Sequence, residues 1–262
     1  MNVIVCIKQV PASSNVKIDP VTGVLIRDGL DSKLNPYDLY AIECALQITS
    51  ATGGLVTAIT MGPPAAKTAL KEAISMGCNK GVLITDRLFA GADVLATSYT
   101  ISSGIKQIND IDLIICGKQT TDGDTAQVGP EIAEMLHIPH VSFVNKIISV
   151  LQDSITVEYA LDHTTETVRI PFPCLITVDK DIYTPRLPSY KRMLAHMNDE
   201  IIVLTLQDFT DKDESHYGLK GSPTQVEAMF SPTKNENKVI LNGSISELSE
   251  KLFFQLKELK VI

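Results

Sequence analysis

The chain lacks the features that mark membrane-spanning and nucleic-acid-binding proteins. None of its apolar runs reaches the roughly 20 residues that a transmembrane helix needs. Acidic residues outnumber Lys and Arg by 31 to 23, and the net charge of −8 argues against a nucleic-acid backbone or an anionic membrane surface as the main partner. With 44% hydrophobic and 21% charged residues, the composition is that of an ordinary soluble globular protein.

Cysteine pairs at metal-binding spacing are also missing. The five cysteines are far apart, odd in number and mostly within apolar runs: Cys6, Cys44, Cys78, Cys116 and Cys174. This pattern excludes a Cys-x-x-Cys metal site and argues against a disulfide framework. The sequence begins directly with a strand-like apolar run, with no signal peptide ahead of it. Together these observations predict a cytoplasmic protein whose cysteines are reduced core residues.

The usual patterns of side-chain catalysis and metal binding are absent too. His137 and His140 flank a proline that breaks helical spacing, and Asp122-Gly123-Asp124 lacks the alternating ligands and terminal Glu of a calcium loop. We find no nucleophile elbow and no isolated acid/base pair. The sequence therefore predicts no metal site and no catalytic side chain, and any chemistry is expected to come from a bound cofactor.

What is present is an alternation of apolar runs and amphipathic segments. Runs rich in Val, Ile and Leu predict buried parallel strands at Val3–Ile7, Leu55–Thr60, Gly81–Ile84 and Leu113–Cys116. Apolar residues three and four apart predict helices at Pro36–Thr49, Pro63–Met76 and Ala92–Ile108. This alternation predicts an α/β fold with a doubly wound, mostly parallel, Rossmann-like sheet.

The second half departs from this pattern. Short segments predict antiparallel strands added to the sheet at Lys146–Val150, Ser154–Tyr159, Glu166–Ile170 and Leu175–Val178. We therefore expect an α/β nucleotide-binding domain at residues 1–178 and an extended arm at residues 179–262, which stays mobile or lies along another protein. The arm is expected to end in a helix over Ile245–Leu259. Between the first strand and the first helix, alternating apolar residues around Pro20–Gly23 predict a hairpin.

The loop Cys116–Pro130 is the most informative segment, because it joins a strand-like run to a helix-like run. Its glycines allow close backbone approach to a ligand, and the N–H groups that start the helix suit a phosphate. We expect Asp122 and Asp124 to cap that helix or to hold a ribose hydroxyl. The loop has neither Walker nor Gly-x-Gly-x-x-Gly spacing. Two more Gly-containing loops, Met61–Pro64 and Asp86–Thr97, also follow strands, so all three should meet in a nucleotide crevice at one sheet edge.

Several motifs, taken in order, resemble the β subunit of electron-transfer flavoproteins. They are Cys6–Pro11, Lys33–Asp38, Ile59–Pro63, Gly117–Gln119 with Asp122–Pro130, and Gly221–Val226. The resemblance covers nearly the whole chain. It implies a nucleotide-binding α/β domain paired with an α subunit that carries its own FAD, and a nucleotide in the β subunit that is either structural AMP or a second FAD. Carried over by motif, the residues around that nucleotide are Cys6, Lys8, Asn35, Met61, Gly117, Gln119, Asp124, Thr125, Ala126, Gln127 and Val128.

The hairpin segment Ile18–Gly29 and the loop Gly117–Asp124 look like those of electron-bifurcating members from anaerobes. That resemblance implies FAD in the β site, oxidation of NADH there, and delivery of one electron to ferredoxin. The other electron would pass through the α-subunit FAD to a flavin-dependent dehydrogenase, such as an enoyl-CoA reductase of caffeyl-CoA or butyryl-CoA type or a lactate dehydrogenase. The loop Phe89–Thr97 is similar to the segment that receives NAD in that group. The residues carried over to a possible NAD site are Phe89, Gly91, Ala92, Asp93 and Thr97.

Two alternatives remain open at this point. The chain could be the subunit of a plain electron carrier, with AMP in the same site and no reaction with NADH. It could also be a nucleotide-binding module without a redox role, which would need no α subunit. The long carboxyl-terminal arm and the absence of a Gly-rich ATP-phosphate loop argue against the second alternative.

Overall fold

The computed structural model describes residues 1–12, 17–18, 25–26, 32–196, 201–227 and 238–262. A nine-stranded sheet dominates it, in the order β11-β10-β9-β12-β8-β1-β6-β7-β13. Its strands are β1 (Asn2–Cys6), β6 (Leu55–Met61), β7 (Lys80–Ile84), β8 (Leu113–Gly117), β9 (His140–Val150), β10 (Ser154–Ala160), β11 (Thr165–Pro171), β12 (Cys174–Val178) and β13 (Ile202–Leu204). The four parallel strands predicted in the first half are confirmed, and with them the α/β fold.

Helices cover both faces of the sheet. They are α1 (Pro36–Thr52), α2 (Lys67–Met76), α3 (Val94–Ile105), α4 (Val128–Leu136), α5 (Tyr190–Ala195) and α6 (Ile245–Glu258). Successive residues of a strand point to opposite faces. Accordingly, Val3 and Val5 of β1 pack in the cluster that includes α1 and α2, whereas Ile4 packs with residues of α3 and α4. The core therefore consists of two apolar layers, one on each side of the sheet.

The strand order reverses between β1 and β8. From β1 the chain proceeds outward through α1, β6, α2 and β7, and then returns by α3 to place β8 on the other side of β1. At such a switch point the loops that leave the two strands diverge, which opens a crevice at the carboxyl ends of the strands. Cys6 lies directly opposite Cys116 in this pair, so both strands end at the same level.

One predicted strand direction is wrong. β12 is parallel to β8 on one side and to β9 on the other, and only β9–β10 and β10–β11 pair antiparallel. The chain runs out along the β9–β10–β11 meander and comes back to insert β12 between β8 and β9. The five residues of β12 are all buried, as expected for a strand with neighbours on both sides.

The long segment before α1 forms two small antiparallel ribbons. β3 (Lys17–Ile18) pairs with β4 (Leu25–Ile26), which confirms the predicted hairpin, although its turn lies outside the described residues. β2 (Gln9–Pro11) pairs with β5 (Ser32–Leu34), and this second ribbon brings the chain back to the start of α1.

Part of the predicted arm belongs to the sheet. β13 pairs in parallel with β7, and the segment that follows it places Phe209 and Tyr217 in the core. The final amphipathic segment is helical as α6, and its apolar residues are largely exposed, among them Ile245, Leu252, Phe253 and Phe254. None of the helices in the described part of the chain has the length and apolarity needed to cross a membrane.

Candidate nucleotide site

The ends of β1 and β8 form the floor of the site. Cys6 and Cys116 lie opposite each other there, and the neighbouring Cys6 thiol together with burial holds the pKa of Cys116 well above its usual range. Gly117, the last residue of β8, packs directly against the start of α1. A Cβ at this position would lie 2.5 Å from Asp38 Oδ1 and 2.8 Å from the carbonyl carbon of Tyr37, so only glycine fits.

Asn35 connects three segments at this end of the sheet, which are the loop after β1, the start of α1 and the loop after β8. Its backbone N–H donates to the carbonyl of Lys8 (2.9 Å), and its side-chain Nδ2 donates to the carbonyl of Gln119 (2.9 Å). Its Oδ1 accepts the N–H of Thr121 (3.2 Å). Asn35 is the N-cap residue of α1, but its side chain makes no capping bond. Its fully buried amide joins the loops after β1 and β8 instead.

Asp38 lies behind Asn35 in the first turn of α1. Its Oδ2 accepts the backbone N–H of Lys8 (2.7 Å), and its Oδ1 accepts Asn35 Nδ2 (2.9 Å). Only 4% of Asp38 is exposed. Burial disfavours the charged form and raises the pKa of Asp38 to about 7, in spite of the two hydrogen bonds and the Lys8 ammonium.

The loop between β8 and α4 folds back on itself through polar contacts. Gln119 Nε2 donates to Asp124 Oδ1, and the N–H of Asp124 donates to the carbonyl of Thr120 (3.1 Å). The Lys8 ammonium pairs with Asp122 (2.8 Å) and lowers the pKa of that carboxyl, although partial burial opposes its ionisation. The prediction that Asp122 or Asp124 caps α4 is wrong, because α4 begins after Gln127 without any side-chain cap.

The entry into α4 fits a phosphate-containing ligand. Asp124 and Ala126 both have a left-handed backbone (φ 56°), which turns the chain sharply just before the helix. The first N–H groups of α4 have no acceptor within the helix. At Gly129 a Cβ would lie 2.6 Å from Thr177 Cγ2 of β12, so glycine brings this end of α4 close to the sheet. An N-terminus held at the sheet edge in this way suits an anion.

The structure brings several of the predicted nucleotide residues into direct contact. Lys8, Asn35 and Gln119 are hydrogen-bonded through their backbones and side chains, and Gln119 bonds Asp124. Cys6 pairs with Cys116, the residue before Gly117, at the strand ends. Thr125, Ala126, Gln127 and Val128 follow in sequence as the entry into α4. Met61 ends the neighbouring strand β6 at the same sheet edge, with no bond to the others among the described contacts. We call the set Lys8, Asn35, Asp38 and residues 117–128 the nucleotide-loop cluster.

The predicted NAD segment lies two strands away, after β7. The Phe89 ring is 4% exposed and stacks on Phe209, with ring centroids 5.6 Å apart, and it also contacts Tyr217 (5.5 Å). Tyr99 of α3 also packs against Tyr217 (5.3 Å). We call Phe89, Tyr99, Phe209 and Tyr217 the aromatic cluster. Because it buries Phe89, the groups of this segment that face solvent are those around Gly91, whose backbone is left-handed (φ 76°).

Asp93 fixes the start of α3 next to Gly91 and Ala92. Its Oδ1 accepts the N–H of Ala96 (3.1 Å), and its Oδ2 accepts both the N–H (3.0 Å) and the hydroxyl (2.7 Å) of Thr224. These donors lower the pKa of Asp93 against the opposing effect of desolvation. Ser222 Oγ accepts the N–H of Asp93 (2.8 Å). Thr97 lies one turn into α3, where its N–H donates to the carbonyl of Asp93.

Sequence reasoning missed two contributions to these sites. Asp38 lies in the motif Lys33–Asp38 but is not among the predicted site residues, because an acid in the first turn of a helix is ordinarily explained by the helix dipole. Ser222 and Thr224 lie in the motif Gly221–Val226, yet nothing local places them beside Asp93.

Among the described residues no group of three or more His, Cys, Asp or Glu side chains is arranged to hold a metal ion, and the five cysteines are free thiols.

Comparison with known proteins identifies the family. Residues 22–208 match the electron transfer flavoprotein domain. The chain is 44% identical over its full length to the full-length electron transfer flavoprotein subunit beta of Thermoanaerobacterium thermosaccharolyticum. It is 39% identical, again over the full length of both, to the caffeyl-CoA reductase-Etf complex subunit CarD of Acetobacterium woodii. It is 41% identical to protein FixA of Sinorhizobium fredii, covering 92% of this chain and 86% of FixA. The chain therefore belongs to the electron transfer flavoprotein family, where it is a β subunit.

Proposed function

We propose that this chain is the FAD-binding β subunit of an electron-bifurcating electron-transfer flavoprotein. It would pair with an α subunit, oxidise NADH at its own FAD, and pass electrons to ferredoxin and, through the α-subunit FAD, to a flavin-dependent dehydrogenase. The similarity to a subunit of a caffeyl-CoA reductase-Etf complex supports a dehydrogenase of the enoyl-CoA reductase type.

The nucleotide-loop cluster is the observation that carries the nucleotide-binding part of this proposal. The strand-end backbone at Gly117 and the start of α4 would hold the diphosphate, because Gly117 lets the start of α1 pack against the end of β8 and Gly129 brings α4 close to the sheet. Asp124 would accept a ribose hydroxyl at its left-handed turn. The Lys8 ammonium, paired with Asp122, would offset the negative charge that collects there.

FAD bound at this site would supply hydride acceptance from NADH and one-electron transfer. The chain would provide orientation and exclusion of water, and no side chain has to act as an acid or base. The nicotinamide nucleotide would enter beside β7, along Gly91, Ala92, Asp93 and Thr97. The carboxyl ends of β7 and β1 are two strand spacings apart, about 10 Å, so ligands bound at the two strand ends would be neighbours.

The main competing function uses the same site for AMP, as a structural ligand of a non-bifurcating electron carrier. The polar contacts of the nucleotide-loop cluster would serve an adenosine phosphate equally well, because AMP and FAD share a ribose and a phosphate group. A nucleotide-binding module without redox activity is the third possibility, and it would not need an α subunit.

Flavin content of the purified αβ heterodimer separates these functions. Two FAD per heterodimer, one of them bleached rapidly by NADH at the flavin absorbance, is the expected result, and ferredoxin reduction would then be measured. One FAD and one AMP, with no response to NADH, would establish the plain carrier. Purification of the chain with a bound nucleotide but without an α subunit would point to the third function.

The position of the site is tested by a double substitution, Asp124→Ala with Thr125→Ala, in the heterodimer. We expect it to lower the β-site nucleotide content, because it removes the ribose acceptor and disturbs the turn into α4. Unchanged nucleotide content would show that the ligand binds elsewhere. Asp213→Ala, which removes an exposed cap in a different segment, serves as the matched control.

A further inference from the structure

We propose that Asp38 is a positioning residue whose buried carboxylate holds the three loops of the nucleotide site in register without touching the ligand. The inference rests on the proposed nucleotide site. The side chain is too deeply buried, at 4% exposure, for a ligand to reach it. Its contacts are with the segments that would bind the ligand.

Each of these segments depends on Asp38 directly or through Asn35. The loop after β1 is held by the Lys8 N–H on Oδ2 (2.7 Å), and the start of α1 by Asn35 Nδ2 on Oδ1 (2.9 Å). The loop after β8 is held in turn by the Asn35 amide, which donates to the carbonyl of Gln119 and accepts the N–H of Thr121. Gly117 packs so closely that no side chain separates Asp38 from the end of β8.

The arrangement requires a carboxylate that only accepts hydrogen bonds. Both oxygens of Asp38 face N–H donors, so a protonated carboxyl would bring its hydroxyl hydrogen against one of them. An asparagine at the same position would do the same with its NH₂ group. Substitution by Asn and protonation are therefore two ways to make the same change, and both should loosen the same loops.

Burial and the charged groups that face Asp38 together set the pH at which its carboxylate takes up a proton. The Lys8 ammonium from the loop after β1 favours the carboxylate, and the Asp122 carboxylate from the loop after β8 opposes it. The Cys116 thiol of β8, whose pKa is raised well above its usual range, stays neutral. Burial outweighs these charges and sets the pKa of Asp38 at about 7. Nucleotide affinity should therefore fall as the pH drops through this value.

The test measures FAD binding by titration calorimetry to the αβ heterodimer after removal of its exchangeable nucleotide, from pH 6 to pH 8.5. FAD is preferred to AMP because a terminal phosphate itself titrates near pH 6. Three proteins are compared: wild type, Asp38→Asn and Glu43→Gln. Glu43 is the matched control, since it is also a buried carboxylate of α1, but its partners are Arg186 and Gln47, away from the site. Binding to the α subunit is an internal reference.

We expect Asp38→Asn to weaken FAD binding to the β site at pH 8 about tenfold or more, the loss that follows when a charged hydrogen-bond acceptor is removed. The wild type should approach the variant at pH 6, the variant should show a flat pH profile, and Glu43→Gln should behave as wild type. If Asp38→Asn does not assemble, the wild-type and Glu43→Gln profiles remain decisive, because an affinity that does not change between pH 6 and pH 8.5 overturns the inference.

Equal FAD affinity of wild type and Asp38→Asn, with the same pH profile, would overturn the positioning role and leave the proposed nucleotide site standing. A wild-type heterodimer that binds neither FAD nor AMP in the β subunit would overturn both. If it binds AMP and not FAD, bifurcation is excluded, and the three proteins are compared with AMP at pH 8, where the same loss of about tenfold is expected.

Discussion

The two loop clusters at the carboxyl edge of the sheet are held together by different forces. The nucleotide-loop cluster beside β1 and β8 is organised by buried polar groups, with Asn35 and Asp38 at its centre. The aromatic cluster beside β7 is organised by stacked rings, and polar contacts lie only at its rim. Directional hydrogen bonds fix the orientation of loop backbones, which a ligand site needs, whereas burial of the rings mainly contributes stability. The comparison predicts that mutations in the first cluster change binding and pH response, and those in the second change stability.

The largest effect is expected from Phe209→Ala, in the aromatic cluster. Loss of a ring that is 2% exposed and stacked on Phe89 should lower the free energy of unfolding by about 3–5 kcal/mol. Urea unfolding of the heterodimer measures this loss, with Leu151→Ala at an exposed turn position as the control. If Phe209→Ala weakened nucleotide binding at the β site by as much free energy as it removes from folding, the two clusters would not differ in role.

The second prediction concerns the pH dependence of stability that Asp38 contributes. Its pKa is raised on folding from 3.8 to about 7, so the folded protein binds this proton more tightly than the unfolded chain. The contribution is therefore fully present below pH 4 and lost as the pH rises through 7. A pKa difference of this size corresponds to at most about 4 kcal/mol.

Comparison with Asp38→Asn isolates this contribution from all other titrating groups. The unfolding free energy of wild type minus that of the variant should decrease between pH 4 and pH 8. A difference that stays constant over this range would mean that Asp38 is ionised in the folded protein at all these values. Stability and nucleotide affinity are thus expected to change in opposite directions with pH.

A third, smaller effect is expected at the rim of the aromatic cluster. Asp93→Ala removes the cap of α3 and both bonds to Thr224, which should cost about 1–2 kcal/mol. If NADH binds along this segment, the variant should also raise the KM for NADH, whereas Thr224→Ala should affect stability more than KM. Steady-state kinetics with NADH as the varied substrate separate the two, and an unchanged KM in Asp93→Ala would argue against an NAD site here.

The smallest effect is a pH response of the segment that follows β13. His216 Nδ1 lies 2.6 Å from Asp211 Oδ2, which also accepts the Tyr99 hydroxyl, and this carboxylate raises the pKa of His216. The stabilisation is complete below the ordinary pKa of histidine and disappears as the pH rises above the raised value. His216→Gln should remove this slope from the unfolding profile. An NMR titration of the imidazole gives the raised pKa directly, and a value at or below 6.5 would contradict the prediction.

The central part of the fold could be predicted because its signals are local. Buried parallel strands such as β7 and β8 are continuous apolar runs, and the helices between them repeat every three to four residues. The direction of β12 could not be predicted in this way, since a five-residue apolar run reads the same in either direction. β13 has only three residues, and its pairing depends on the free edge of β7.

The same contrast between local and long-range signals applies to the candidate site. Glycine-containing turns between a strand and a helix are visible in the sequence, which is why the loop at Gly117 could be predicted. The role of Asp38 depends on Lys8, 30 residues away in sequence, and on a loop more than 80 residues away that it reaches through Asn35. Contacts of this length arise only when the sheet has assembled, so no local pattern announces them.

The insertion of β12 between β8 and β9 has a consequence for the order in which the protein can fold. A nascent chain that ends before Cys174 has β8 and β9 as two unsatisfied strand edges, although the residues that leave β8 for the proposed nucleotide site are already synthesised. Open strand edges on a growing chain promote wrong pairing with other chains. Completion of the proposed ligand site thus has to await β12, and a ribosome that stalls within residues 140–173 would release an aggregation-prone product.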